Sequence, residues 1–124
     1  MPSKLEHINL TVQNPHTSAK ILGDIFDWNI RWSGEALDNG FTIHLGGEDN
    51  YLALYSHSEK HFAQKSHKTI SNLNHFGIQV DDLDKIEQNV KSHGFKTYNH
   101  GDYEPGRRFY FDLEEGVEIE VVSY

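Results

Sequence analysis

The stretch LEHINLTV at residues 5–12 returns as LNHFGIQV at residues 73–80. Each copy opens on Leu, one residue and His, then alternates to a closing Val. In a chain of 124 residues this repeat constrains the fold more than any other feature. A module of about half that length buries too little surface to stand alone, so two copies must share a core or exchange partners. In the first copy Ile8, Leu10 and Val12 fall on one strand face, and His7, Asn9 and Thr11 on the other. In the second, Phe76, Ile78 and Val80 take the apolar face. His75 therefore lies on the face opposite, as His7 does.

The segment after each copy is also repeated. Asn14-Pro15 is a helix-start signal, and Ala19, Ile21, Leu22, Ile25 and Phe26 recur at helical spacing. Strand candidates come next at 29–34, 40–46 and 50–56, separated by Gly, Asp and Asn. After the second copy, DDLDKIEQNVKSHG opens on aspartates suited to a helix N-terminus, carries Leu83, Ile86 and Val90 as its stripe, and stops at Gly94. FKTYNH, RRFYFDL and GVEIEVVSY then read as three strands. The expected fold class is α+β: two βαβββ modules forming a curved mixed sheet around a cleft, with helices outside. The expected organisation is one domain over 1–124, with modules at about 4–56 and 73–124 and a linker at 57–72. His57, His61 and His67 fall in that polar linker and read as solvated.

The formal charge of −8 argues against nucleic acid or an anionic membrane surface as partner. The absence of cysteine removes disulfides, thiolate metal sites and a Cys nucleophile. No run approaches the roughly 18 apolar residues of a membrane span, and MPSKLEHI lacks the apolar core of a signal peptide. The expectation is a cytoplasmic protein acting on a small molecule.

With the modules in register, His7 falls on His75 and Ala53 falls on Glu120. A pseudo-two-fold would gather these four positions on the concave face. Two imidazoles and one carboxylate are the donor set of a facial triad, which leaves open positions on the ion. Ala53 cannot coordinate.

The layout resembles the vicinal oxygen chelate superfamily, which includes glyoxalase I, bleomycin-resistance proteins, extradiol dioxygenases and fosfomycin-modifying thiol transferases. LEHINLTV, LNHFGIQV and FYFDLEEGVEIEVV carry the likeness, from Leu5 to Val122. The last departs from the family's F-x-D-P-D-G-x-x-x-E ending by having Leu-Glu-Glu-Gly, while Glu120 keeps its place four residues after Gly116. The resemblance implies that His7, His75 and Glu120 bind a divalent metal, Fe(II) or Mn(II) first, with Zn(II) or Ni(II) also compatible. Ala53 disfavours ordinary glyoxalase I chemistry, since the resemblance implies a carboxylate or amide ligand at that place and a carboxylate base near the metal, and Ala53 offers neither. Extradiol-dioxygenase-like and fosfomycin-transferase-like activities stay open. Tyr110 matches an inward tyrosine of both groups, and Arg108 on the same strand face suits an anionic substrate. Asn9 stands where the fosfomycin enzymes carry a threonine. Members with one module pair are dimers as a rule, so a two-fold homodimer is expected. A different class also remains: a metal-independent, bleomycin-resistance-like protein that sequesters a cationic ligand, which the negative charge suits.

Overall fold

The computed structural model describes residues 1–62, 64–113 and 116–124. The chain divides into two compact units, Met1–His61 and Phe62–Tyr124. Each has the expected order of strand, helix and three strands. The first holds β1 (His7–Thr11), α1 (Pro15–Phe26), β2 (Asn29–Ala36), β3 (Gly40–Gly46) and β4 (Tyr51–Ser56). The second holds β5 (Phe76–Gln79), α2 (Leu83–Ser92), β6 (Thr97–Tyr103), β7 (Gly106–Asp112) and β8 (Glu118–Ser123). The sheets are four-stranded, in the orders β1-β4-β3-β2 and β5-β8-β7-β6. In each, the first strand pairs parallel with the last and the other pairings are antiparallel. The parallel pair exists because a helical crossover separates its strands, whereas short turns produce the antiparallel ones.

Both helices start where their caps require. Asn14 Oδ1 accepts from the N–H groups of His16 and Thr17 at 3.0 and 3.3 Å, and Pro15 sits at the first helical position. Asp82 Oδ1 accepts from Lys85 N at 3.1 Å. Ser18, Ala19, Leu22, Ile25 and Phe26 of α1 are buried, with Leu10, Ile43, Leu45, Leu52 and Leu54 forming the sheet side of that core. The second core holds Leu83 and Val90 of α2 with Phe109, Phe111, Ile119 and Val121. Strand alternation leaves the opposite face of each sheet to polar and aromatic side chains. No helix among the described residues is long and apolar enough to cross a membrane.

Boundaries shift where backbone bonds are claimed elsewhere. The strand expected from Phe95 begins at Thr97. Phe95 N instead bonds Val90 O at 3.4 Å, beside the positive-φ Gly94, so it completes the end of α2. Each second strand also carries a register shift, between Ile30 and Trp32 in β2 and between Tyr98 and Gly101 in β6. In β6 the shifted stretch includes Asn99, with φ of 53°. His67 is exposed, as expected of a linker histidine, and its ring also reaches the second sheet. Its Nε2 lies 2.8 Å from Oε1 of the buried Glu118, a carboxylate that needs hydrogen-bond partners out of water.

Candidate metal-binding site

The second unit brings four of the five expected site residues together. Pairing of β5, β8 and β7 places Gly77, Glu120 and Tyr110 on one rung. His75, just before β5, projects onto the same face. Its Nε2 lies 3.0 Å from Glu120 Oε1. Tyr110 donates its hydroxyl to that same oxygen at 3.1 Å. Arg108 donates from Nη1 to Glu120 Oε2 at 2.9 Å. Its Nη2 donates to Gly106 O at 3.3 Å, and its guanidinium lies over the Tyr103 ring at 4.8 Å. The Arg108 Nε–H is buried without a hydrogen-bond partner among the described residues. Arg108 is thus paired with Glu120.

His75, Tyr110, Asn74, Asn99, His100, Tyr103 and Glu118 line a pocket of about 380 Å³. Burial, then the nearby Glu120 carboxylate, raises the Tyr110 pKa above its ordinary value. The hydroxyl therefore stays protonated and acts as a donor at neutral pH. Behind His75 lies a charged network. Lys65 Nζ donates to Tyr98 Oη at 3.0 Å and to Asp112 at 2.9 Å, and it lies 3.1 Å from Glu118 Oε1. Burial alone would lower the Lys65 ammonium, but bonds to Tyr98, Asp112 and Glu118 hold it above its usual value. Burial and the Asp112 carboxylate push Tyr98 up to about 12.

His7 lies in the first unit, at the equivalent position of its own sheet. Its ring stacks on Tyr51 at 5.0 Å, Tyr51 on His44 at 4.4 Å, and His44 meets Trp32 at 5.1 Å. Sheet register puts Asn9, Ala53, His44 and Trp32 on one rung. The matching rung of the second unit reads Gly77, Glu120, Tyr110 and Tyr98. Ala53 therefore does stand where Glu120 stands, and His44 is the counterpart of Tyr110. Sequence reasoning gives His44 no role. Alternation within GFTIHLG sets it opposite Ile43 and Leu45, and that is the signal that could have found it. Burial first, then His7 and Arg31, lowers the His44 pKa, so its ring is neutral at neutral pH.

Among the described residues no group of three or more His, Cys, Asp or Glu side chains is placed to hold a metal ion. The pair His75 and Glu120 nevertheless fits a hard or borderline divalent ion. Two donors bonded at about 2.1 Å in adjacent octahedral positions stand about 3.0 Å apart, which is the separation His75 Nε2 and Glu120 Oε1 already have.

Known proteins share this architecture. The family model described as the Glyoxalase/Bleomycin resistance protein/Dioxygenase superfamily matches residues 4–121. No curated protein matches the chain. Among solved structures, a glyoxylase/bleomycin resistance protein/dioxygenase domain from Frankia sp. EAN1pec superposes with a TM-score of 0.84 at 19% identity, covering 99% of this chain and 98% of that one. A glyoxalase family protein from Enterococcus faecalis gives 0.78 at 12%, covering 96% of each chain. A variant of the genomically encoded fosfomycin resistance protein FosX from Listeria monocytogenes, complexed with Mn(II) and 1S,2S-dihydroxypropylphosphonic acid, gives 0.78 at 17%, covering 98% and 93%. At these identities the likeness concerns the fold.

Proposed function

The chain belongs to the Glyoxalase/Bleomycin resistance protein/Dioxygenase superfamily, and we propose that it is a divalent-metal-dependent enzyme acting on a small substrate through chelating oxygens. His7, His75 and Glu120 are the proposed ligands, meeting within one chain or across a two-fold homodimer. The observation that carries this reading is the 3.0 Å approach of His75 Nε2 to Glu120 Oε1, with Tyr110 and Arg108 converging on the same carboxylate. When bound, an Fe(II) or Mn(II) ion, or with these donors Zn(II) or Ni(II), supplies Lewis-acid polarisation of the substrate oxygens.

The chain's own residues do the rest. Arg108 neutralises and orients Glu120, so the carboxylate presents one oxygen toward His75. Tyr110, kept protonated, offers its hydrogen bond to an oxyanion that develops beside Glu120. His44 on the first sheet is a neutral imidazole able to accept a proton. Ala53 supplies no carboxylate base at the place where Glu120 has one, so isomerisation of the glyoxalase I kind is not proposed. Extradiol ring cleavage and opening of an epoxide such as fosfomycin are both compatible with the proposed donor set.

The test is metal content of untagged protein purified without oxygen, beside His75→Ala. Iron or manganese near one per chain, lost in the variant, supports the enzyme; catechols, then fosfomycin with water or thiols, are the substrates to assay. Protein that binds none of Fe(II), Mn(II), Ni(II) and Zn(II) overturns it. The charge of −8 then favours sequestration of a cationic ligand.

A further inference from the structure

The two modules repeat more than a histidine. In each, the residue just before it grips the ring. Glu6 Oε1 lies 2.8 Å from His7 Nδ1. Asn74 Oδ1 lies 2.7 Å from His75 Nδ1. The two residues differ in charge and share only a side-chain oxygen placed at the same ring nitrogen. We infer that Glu6 and Asn74 are positioning residues that fix the Nδ1–H tautomer of His7 and His75, so that both rings present Nε2 to the metal. The inference rests on the metal-ligand reading of those two histidines.

A neutral imidazole carries one proton, and the hydrogen bond at one nitrogen decides where the lone pair lies. A free histidine side chain keeps that proton mostly on Nε2, the wrong place for a ligand bound through Nε2. An oxygen acceptor at Nδ1 reverses the preference. It also fixes the ring plane, since the bond is made one residue away along the backbone. Other groups near these rings do not do this work. Glu118 Oε2 is 3.8 Å from His75 Nδ1, too far for a hydrogen bond, and its Oε1 is engaged by Lys65 and His67. Glu6 also takes a long bond from Tyr51 Oη at 3.4 Å. That contact steadies the carboxylate against the same ring on which His7 stacks. On the other side, His75 Nε2 already faces a carboxylate oxygen at 3.0 Å. Both His75 nitrogens therefore face acceptors, and with Nε2 given to a metal ion the single proton of the neutral ring would stand on Nδ1, toward Asn74.

The experiment is ¹⁵N NMR of the histidine rings, with Zn(II) as the diamagnetic ion. Metal-free wild type at about pH 9, where ordinary histidines are neutral, is expected to show His7 with its proton on Nδ1. Glu6→Ala should move it to Nε2, and Glu6→Gln, which keeps an acceptor, should restore it. With Zn(II) bound, both rings should be metallated at Nε2, and Asn74→Ala should lose the sharp Nδ1–H signal of His75 that Asn74→Asp retains. Zn(II) affinity should fall about tenfold in each alanine variant. Glu6 and Asn74 are exposed, so both variants are expected to fold. A wild-type His7 protonated on Nε2, or alanine variants that bind Zn(II) as tightly as wild type, overturns the inference. Zn(II) binding that survives His7→Ala and His75→Ala overturns the ligand assignment instead, whatever the tautomers are.

Discussion

Glu120 shows how one residue organises its surroundings. Its two oxygens take three contacts, from His75, Tyr110 and Arg108. Removing the Tyr110 hydroxyl takes away a donor without removing a proposed ligand. Tyr110→Phe is therefore expected to bind metal like wild type and to lose about 100-fold in kcat, which metal titration beside steady-state kinetics will separate. Glu87 makes a second residue-scale case, away from the site. It accepts from Thr97 Oγ1 at 2.6 Å, and His100 Nε2 lies at 2.6 Å from the same oxygen. Burial alone would raise its pKa, but Thr97, His100 and Lys91 bring it below the usual 4.5. A depressed carboxylate pKa stabilises the fold above the unfolded value, and that stability is lost as pH falls through the folded value. Wild type should therefore lose more of its urea midpoint than Glu87→Gln between about pH 7 and about pH 3. Equal losses would show that Glu87 carries none of the acid sensitivity.

At the scale of elements, the two modules match in backbone detail. Gly40 opens β3 and Gly106 opens β7, and an added Cβ at either would press into a main-chain oxygen of the last strand, Ser56 O or Ser123 O. Backbone cannot swing aside as a side chain can. Gly106→Ala should cost about 2 kcal/mol, in the range of core overpacking, and Gly77→Ala, where a Cβ meets nothing within 4 Å, much less; chemical denaturation of both checks this. The strand and helix order was legible because β1, β5 and both helices carry clean periodicity, with helix starts marked at Asn14 and Asp82 and the end of α2 marked by Gly94. The shared face of His75, Tyr110, Arg108 and Glu120 was legible for the same reason, since alternation alone places each. The grip of Arg108 on Glu120 was not, because alternation gives a face and not a partner. Nor was the bond from His67 to Glu118, which links a polar stretch to a strand 51 positions away. The register shifts in β2 and β6 lay beyond pattern reading as well, because both strands are largely exposed and carry no apolar alternation for an extra residue to break.

At the scale of the molecule, three proposed ligands are divided between two units, one on the first and two on the second. This makes the proposed homodimer testable by complementation. His7→Ala and His75→Ala chains should each bind no metal at the full site. If modules pair between subunits, mixing them after confirmed subunit exchange should return one site in each mixed dimer. Mixtures that stay inert would place each site within a single chain.

The ring stack of His7, Tyr51, His44 and Trp32 bears on how such a protein changes over time. Those rings touch through their faces and carry few obligatory hydrogen bonds, whereas in the second unit charge ties Lys65 to Asp112 and Glu118, and Arg108 to Glu120. A substitution in either charged group leaves a charge without its partner, while one at the exposed Trp32 exchanges one flat surface for another. Trp32, at the open end of the stack, is thus the ring most free to drift or be selected in the laboratory, while the proposed ligand His7 and the proposed proton acceptor His44 are held fixed.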